Sequence, residues 1–135
     1  MSQMKITKRF ELSYSHTLTN HPGKCSNLHG HNAVVDVTLE MDAEYFLNNK
    51  KCSDGMVVDF GDFKEDIEKH IKRIFDHKHL NDLEAFAKAQ PTAENLAYII
   101  GVVTIGSLKN TNPHVKLSSV TVWEDRDSCA TFENE

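Results

Sequence analysis

The stretch CSNLHGHNAVVDVTLEM, residues 25–41, decides both the fold and the candidate site of this chain. Over residues 33–41 apolar and polar side chains alternate, which predicts a strand with one buried face. Side chains two residues apart lie on the same side of a strand, so His29 and His31 continue the apolar face. Two imidazoles therefore converge on one point at the start of this strand.

A second alternating stretch, residues 6–16, has its own apolar face and ends on that face at His16. We expect the two strands to pair antiparallel, so that their adjoining ends bring His16 to His29 and His31. Three neutral imidazoles with an open fourth position are typical of a catalytic zinc site. Iron or nickel, or a closed structural site with Cys25 as the fourth ligand, are alternatives. So is a set of ordinary core histidines.

The composition is that of a soluble globular protein and predicts one domain over residues 1–135, with 39% hydrophobic and 26% charged residues. The net charge of −5, without a stripe of lysine and arginine, argues against a nucleic-acid partner. No apolar run approaches the roughly 20 residues that span a bilayer, which argues against a membrane partner. Three cysteines without paired spacing favour a reducing, cytoplasmic location.

The remaining chain predicts an α+β fold of order ββααββ. Residues 42–58 form a polar connection, and a helix with apolar residues spaced for one face follows over residues 63–75, capped by Asp59 or Asp62. Thr92 is the expected N-cap of a second helix, and residues 115–132 predict a hairpin. The result is a four-stranded antiparallel sheet with two helices on one face. Its two exposed edges predict self-assembly.

Cys25 lies four residues before His29 and has three interpretations: a buried small hydrophobe, a zinc ligand, or a thiolate that acts as base or nucleophile. A nearby metal or imidazolium lowers the pKa of a thiol from about 8.5. Asp76 and His77 are either a solvated helix end or a carboxylate that orients an imidazole for proton transfer.

Glu124 shares the apolar face of its strand with Val120 and Val122, and a buried carboxylate needs a partner. That partner is either an internal lysine or arginine, or a ligand with two adjacent N–H donors, such as the edge of a pterin or a guanine. Thr92 and Glu94, at a helix N-terminus, are capping residues first and substrate contacts second.

Five motifs, in order from about residue 10 to residue 124, give the chain a family resemblance. They are Ser15-His16, Cys25-x3-His29-Gly30-His31, Gly55-x-Val57-x-Asp59-Phe60, Asp76-His77-x-x-Leu80-Asn81 with Pro91-Thr92-x-Glu94-Asn95, and Val120-x-Val122-x-Glu124. With them the chain resembles the 6-carboxy-5,6,7,8-tetrahydropterin synthase / 6-pyruvoyltetrahydropterin synthase family.

The resemblance implies a tunnelling fold (T-fold), in which trimers close their sheets into a barrel, two trimers form a homohexamer, and active sites lie between subunits. It implies Zn²⁺ on the three histidines and the small-molecule pterin substrate 7,8-dihydroneopterin triphosphate. The implied site residues are Cys25 as general base, Asp76 and His77 as a second acid/base pair, Glu124 as the pterin ligand with Thr92 and Glu94 nearby, and His16, His29 and His31 as metal ligands.

The spacing between Cys25 and His29 separates the branches of this family. Three intervening residues resemble the carboxy branch, which releases triphosphate and acetaldehyde and supplies queuosine (7-deazaguanine) synthesis, whereas the pyruvoyl branch of the tetrahydrobiopterin pathway usually has five. The leading hypothesis is therefore a carboxytetrahydropterin synthase. A pyruvoyl synthase and a non-catalytic zinc- or pterin-binding protein are the alternatives. Tyr14, where the family has a small residue, and a long connection over residues 41–55 depart from the pattern.

Overall fold

In the computed structural model, which describes residues 2–19, 23, 26–48, 55–109 and 112–135, the chain forms an α+β fold on a five-stranded sheet. The strands are β1 (Gln3–His16), β2 (His29–Asp42), β3 (Lys78–His79), β4 (Lys116–Asp125) and β5 (Ser128–Glu133), in the spatial order β3-β1-β2-β4-β5. The long strands pair antiparallel, but β3 pairs parallel with β1. The α+β class is confirmed. The prediction of a purely antiparallel sheet of four strands is wrong, because it omits β3. A strand of two residues is too short to show an alternating pattern in the sequence.

The helices are α1 (Ala43–Asn48), α2 (Phe60–Ile67), α3 (Arg73–Phe75) and α4 (Ala93–Leu108), and a π-helical turn (Glu68–Lys72) joins α2 to α3. Short 3₁₀ turns at Leu80–Asp82 and Glu84–Phe86 lead towards α4. The predicted polar connection over residues 42–58 is thus partly wrong, because α1 lies within it; its residues 49–54 fall outside the described ranges. Among the described helices, none has the length and apolar character that crossing a membrane requires.

The buried face of the sheet follows the alternation of the sequence. Residues 33, 35, 37, 39 and 41 of β2 are each at most 1% exposed, and Leu12, Tyr14 and His16 of β1 are buried beside them. The first helical run and α4 cover this face with the buried side chains Phe63, Ile67, Ile71, Phe75, Leu96, Ala97 and Ile100. The core therefore lies between the sheet and the helices, and it extends to the histidine end of β1 and β2.

Both principal helices begin as the sequence predicts. The Asp59 side chain accepts a hydrogen bond from the Asp62 amide at 3.0 Å, which makes Asp59 the N-cap of α2. Thr92 Oγ1 accepts from the Asn95 amide at 3.1 Å and caps α4 directly after Pro91. These caps supply acceptors to helix amides that have no partner within the helix.

The opposite face of the sheet is polar. Arg9 makes a bidentate ion pair with Asp36, at 2.8 and 2.9 Å, across the β1/β2 pair. Hydroxyls of facing threonines hydrogen bond across neighbouring strands, Thr7 with Thr38 at 2.7 Å and Thr121 with Thr131 at 2.8 Å. Cross-strand polar pairs of this kind suit a face in contact with water.

Candidate metal centre

Three histidine side chains meet at the paired ends of β1 and β2. The strand register places His16 opposite His29, and His31 follows two residues later on the same face of β2. The Nε2 atoms of His16 and His29 are 2.9 Å apart, and those of His16 and His31 are 3.1 Å apart. The structure thus brings together the three side chains that the alternation of the two strands places on one face.

Backbone carbonyls fix the rings of two of these histidines. His16 Nδ1 donates to the Pro91 carbonyl at 2.6 Å, and His29 Nδ1 donates to the Asn27 carbonyl at 2.7 Å. Because a carbonyl only accepts, the hydrogen of each neutral ring sits on Nδ1 and Nε2 keeps its lone pair. Lone pairs that face each other repel unless a cation or a proton lies between them. Histidines that bind a metal usually donate their other N–H group in this way.

A carboxylate completes the cluster. Glu124 Oε1 lies 2.6 Å from His31 Nε2 and 3.5 Å from His16 Nε2. One ligand atom from each of His16, His29, His31 and Glu124 lies within 4.8 Å of the others. Glu124 occupies a register shift between β4 and β5, and such bulges re-aim a side chain near a site.

The donor set of this cluster fits the zinc that the resemblance implies. Imidazole nitrogen and carboxylate oxygen are both zinc ligands, and three histidines leave one position of a tetrahedral ion for another oxygen. The same donors suit other divalent transition metals. The four residues can therefore hold a metal ion.

Burial shifts the pKa values of two side chains at the cluster, those of His16 and Tyr14. His16 is fully buried, and this burial lowers the pKa of its imidazole, although the Pro91 carbonyl opposes the shift. The neutral ring that results is the form that binds a metal. Tyr14 packs edge-on against His16 with ring centroids 5.5 Å apart. Burial, reinforced by the charge of Glu124, raises the pKa of its hydroxyl, so Tyr14 stays protonated at neutral pH.

Asp76 and His77, expected as an acid/base pair, lie at the edge of β1 and outside the histidine cluster. Asp76 Oδ1 accepts a hydrogen bond from the Ser13 amide at 2.9 Å, and the His77 amide donates to the Ser13 carbonyl at 2.6 Å. Asp76 Oδ2 is 3.6 Å from His77 Nε2, and the His77 side chain is 81% exposed. Asp76 therefore anchors β1, while the His77 ring projects from the surface with a backbone φ of 58°.

A cavity adjoins the cluster at Glu124, and a second cavity lies on the polar face of β1 and β2, where Ser13 and Asn32 hydrogen bond to each other. The first, which we call the acidic cavity, has a volume of about 530 Å³ and is lined by Glu94 and Glu124. The second, the basic cavity, has a volume of about 400 Å³ and is lined by His31. The further lining of the acidic cavity is Ala93, Tyr98 and Ser128–Phe132, and that of the basic cavity is Ser13, Tyr14, Ser15, Gly30, Asn32, His77, Lys78 and His79.

The remaining predicted residues fall in different places. Glu94 joins Glu124 in the acidic cavity, but Thr92 uses its hydroxyl to cap α4. Cys25 lies outside the described residues. Cys129, which has no histidine near it in the sequence, is exposed and lines the acidic cavity.

The sequence reasoning missed two carbonyls, those of Asn27 and Pro91, that hold histidine rings. No side-chain pattern marks a carbonyl as a partner, although the proline-led start of α4 is visible in the sequence. It also missed Tyr98, which lies on the half-exposed side of α4 towards β5.

Residues 5–135 match the family model described as 6-pyruvoyl tetrahydropterin synthase. The chain belongs to this family. It is 30% identical over 147 residues to the 6-carboxy-5,6,7,8-tetrahydropterin synthase of Haemophilus influenzae, a match that covers 96% of this chain and 98% of the relative. It is 40% identical over 81 residues to the 6-pyruvoyl tetrahydrobiopterin synthase of Drosophila melanogaster, covering 58% of this chain and 44% of the relative.

The structure of the Caenorhabditis elegans 6-pyruvoyl tetrahydropterin synthase superposes on this chain with a TM-score of 0.79 at 25% identity. The superposition covers 100% of this chain and 98% of the other. The T-fold of the 6-pyruvoyl tetrahydropterin synthase family is therefore the fold of this chain, and the short β3 is an addition to the predicted four strands.

Proposed function

We propose that this member of the family is a zinc-dependent lyase of the carboxy branch. It converts 7,8-dihydroneopterin triphosphate and water to 6-carboxy-5,6,7,8-tetrahydropterin, acetaldehyde and triphosphate, in the pathway to queuosine. The observation that carries the proposal is the convergence of three imidazole Nε2 atoms and the Glu124 carboxylate beside the acidic cavity.

Spacing and similarity support the carboxy branch. Ser26, Asn27 and Leu28 are the three residues between Cys25 and His29. The relative from Haemophilus influenzae, which matches nearly the whole chain, carries the name of a carboxytetrahydropterin synthase.

His16, His29 and His31 would hold the zinc ion, and the Pro91 and Asn27 carbonyls keep two of the rings oriented towards it. A bound zinc supplies Lewis-acid chemistry, which acidifies the hydroxyls of the substrate side chain. The burial of His16 keeps its ring neutral and ready to bind.

Glu124 and Glu94 give the acidic cavity its selectivity. A pterin presents adjacent N–H donors on its amino-pyrimidine edge, and a carboxylate accepts both at once. Hydrogen bonds to a charged acceptor contribute about 1.5–3 kcal/mol each. Glu124 also contacts His31, so a ring bound to Glu124 would hold its side chain at the metal ligands.

Cys25, Asp76 and His77 are proposed to move protons. The thiolate of Cys25 would remove a proton from a carbon of the substrate side chain, next to the hydroxyls that the metal acidifies. The His77 imidazole, accompanied by Asp76, would return a proton to a neighbouring atom. Within one chain, Asp76 is engaged at the edge of β1.

We propose a homo-oligomer, a trimer or a dimer of trimers, in which the β5 edge of the sheet meets a neighbouring subunit. The edge strand β5 is exposed and carries residues of the acidic cavity, so a partner strand would both cover an open edge and complete the site. Size-exclusion chromatography with light scattering tests this, and a monomer at working concentration would refute it.

The reaction is tested by incubating zinc-loaded protein with 7,8-dihydroneopterin triphosphate and identifying products by mass spectrometry. Carboxytetrahydropterin with an equal amount of acetaldehyde is expected. Pyruvoyltetrahydropterin without acetaldehyde would refute the carboxy branch. The match to the 6-pyruvoyl tetrahydrobiopterin synthase of Drosophila melanogaster makes the formation of pyruvoyltetrahydropterin the second candidate reaction. That reaction consumes no water. The absence of either product would favour a non-catalytic zinc- or pterin-binding protein.

Replacing Cys25 by alanine tests the role of the thiol. Loss of a general base costs roughly 10²–10⁴-fold in rate, and we expect bound zinc to remain at the wild-type ratio. Cys52→Ala is the matched control, since Cys52 is a cysteine to which no role in the site is assigned. Loss of zinc together with activity in the Cys25 variant would identify Cys25 as a fourth metal ligand instead.

A further inference from the structure

We infer that Asn81 and Asn95 are positioning residues of the metal centre, which hold the backbone and the ring of His16 in place for a metal ion. Both asparagines belong to the motifs of the sequence, in Leu80-Asn81 and Glu94-Asn95, and the proposed reaction assigns a step to neither. The inference rests on the proposed metal centre for the identity of the ligands. Its own evidence is the set of hydrogen bonds that surrounds His16.

His16 is the ligand on which the geometry of the cluster depends most. Its Nε2 lies 2.9 Å from His29 Nε2 and 3.1 Å from His31 Nε2. The Oε1 atom of Glu124 is 3.5 Å from the same nitrogen. A shift of the His16 ring therefore changes its distance to all three other ligand atoms at once. Because a binding site works only when its groups are held within about 0.5 Å of the productive geometry, this ring needs firm support.

The side chain of Asn95 fixes the carbonyl that orients the His16 ring. Asn95 Nδ2 donates to the Gln90 carbonyl at 2.8 Å, and the Thr92 amide donates to the same carbonyl at 2.8 Å. These two bonds close the backbone around Pro91, whose own ring restricts its φ. The Pro91 carbonyl then accepts from His16 Nδ1 at 2.6 Å. Loss of the Asn95 side chain would release the turn that carries this carbonyl.

The backbone of Asn95 leaves the Pro91 carbonyl available for the His16 ring. In a continuous α-helix the Asn95 amide would donate to the carbonyl four residues earlier, which is that of Pro91. Here the amide donates to the N-cap Thr92 Oγ1 at 3.1 Å instead. A substitution at Asn95 therefore removes the side-chain bond to Gln90 and keeps the helix cap.

Asn81 holds the backbone directly after His16. Its Oδ1 accepts from the Thr17 amide at 2.9 Å, and its Nδ2 donates to the Thr17 carbonyl at 2.9 Å. The pairing of β1 with β2 ends at His16 and His29, so the Asn81 amide acts as the partner for the next residue of the chain. The 3₁₀ turn that carries Asn81 is anchored in turn, because Leu80 is fully buried. Asn81 thus limits the movement of the strand end that carries His16.

A positioning role differs from a merely structural one in what its loss does to metal binding. Residues that orient metal ligands typically contribute 10- to 100-fold to metal affinity without touching the metal. A bond that only stabilises the fold has no such effect. Asn134 supplies the comparison, because its Nδ2 also donates to a backbone carbonyl, that of Leu117, at 3.0 Å. Leu117 pairs with Leu39, near the end of β2 opposite to His29.

The test measures zinc affinity by competition with a chromophoric chelator. Asn95→Ala and Asn81→Ala are compared with the wild type, and Asn134→Ala is the matched control. Asn81→Asp keeps the acceptor for the Thr17 amide and removes only the donor, so it is the milder variant at this position. Metal-free samples are also compared by urea unfolding and by nitrogen NMR of the His16 ring, which distinguishes the two tautomers of an imidazole.

Asn95→Ala and Asn81→Ala are each expected to weaken zinc binding about 10- to 100-fold, and Asn81→Asp less than Asn81→Ala. Asn134→Ala should bind zinc within about 2-fold of the wild type, although it loses a similar bond and the metal-free protein becomes similarly less stable. In metal-free Asn95→Ala, the His16 ring should populate both tautomers, whereas the wild type should hold the Nδ1–H form alone.

Wild-type zinc affinity in either alanine variant would overturn the role of that asparagine. An equal loss of affinity in Asn134→Ala would overturn the inference for both, because the effect would then be general destabilisation. A wild-type protein that binds no zinc would refute the inference together with the proposed metal centre. Zinc binding and turnover by the wild type, with unchanged affinity in the variants, would refute the positioning role alone.

Discussion

Glu124 Oε1 lies 2.6 Å from His31 Nε2, and this contact joins the histidine cluster to the acidic cavity. The same carboxylate is therefore placed for two roles, as a metal ligand or as the acceptor for a ring. A carboxylate that bound the metal through Oε1 would still present Oε2 as an acceptor. The roles are separated by asking what is lost when the charge of Glu124 is removed.

We expect Glu124→Gln to keep the zinc and to lose the pterin. Three histidines already give a zinc site with an open position, so the zinc stoichiometry should remain that of the wild type. Affinity for 7,8-dihydroneopterin should fall about 10- to 100-fold, because the amide presents one acceptor where the carboxylate presents two. Metal analysis and fluorescence titration measure the two effects. A variant that loses zinc but binds the pterin normally would identify Glu124 as a metal ligand.

The lowered pKa of His16 predicts a pH dependence of stability for the metal-free protein. Because burial places the folded pKa below the ordinary 6.5, the unfolded chain takes up a proton first as the pH falls. The contribution of His16 to the free energy of unfolding is therefore complete above about pH 6.5 and decreases below it, down to the folded pKa. Urea unfolding of chelator-treated protein across this range measures the dependence.

His16→Asn isolates this contribution from that of the other histidines. The difference in unfolding free energy between wild type and variant should shrink as the pH falls below about 6.5. A difference that is constant with pH would mean that His16 keeps the same protonation state in the folded and the unfolded chain.

The main features of the fold can be predicted from the sequence because they depend on patterns that repeat at short range. Alternation over residues 6–16 and 33–41 fixes which side chains of β1 and β2 are buried, and the shared face leads to the three histidines. Other features depend on contacts between distant segments. The pairing of β3 with β1 and the bulge at Glu124 are examples, since each involves only one or two residues.

The features of the candidate site likewise fall into two groups, those that local sequence predicts and those that depend on contacts between distant segments. Ligand types and their faces follow from residue identity, whereas the carbonyls that orient the rings and the position of Asp76 follow from the tertiary fold. The π-helical turn Glu68–Lys72 illustrates the limit, because apolar spacing predicts the helix but not the extra residue in its turn.

Tyr14→Phe is expected to stabilise the protein. Tyr14 Oη is buried and has no hydrogen-bond partner among the described residues, and burying an unpaired hydroxyl costs about 1–3 kcal/mol. Removing it should raise the unfolding free energy by up to about 1 kcal/mol, less than the full burial cost, because residual structure in the unfolded chain also shields part of this hydroxyl from water. Urea unfolding of metal-free and zinc-loaded protein measures this. Destabilisation confined to the zinc-loaded form would show that the hydroxyl hydrogen bonds to a group held at the metal.

Two glycines of α4 give a matched pair that tests how the helix sits on β5. A Cβ at Gly101 would lie 2.7 Å from Phe132 Cδ2, whereas a Cβ at Gly106 would meet nothing within 4 Å. Gly106→Ala should therefore raise the unfolding free energy by about 0.5–1 kcal/mol through helix propensity alone. Gly101→Ala should lower it, because overpacking costs about 1–3 kcal/mol and exceeds the same gain.

The pair also has a functional readout, because Phe132 lines the acidic cavity and packs edge-on against Tyr98 at 5.2 Å. Displacing the Phe132 ring should weaken 7,8-dihydroneopterin binding in Gly101→Ala and leave it unchanged in Gly106→Ala. Thermal unfolding and fluorescence titration, done on both variants, measure the two effects together. If Gly101→Ala were as stable as Gly106→Ala and bound the pterin equally well, the close approach of α4 to Phe132 would be refuted.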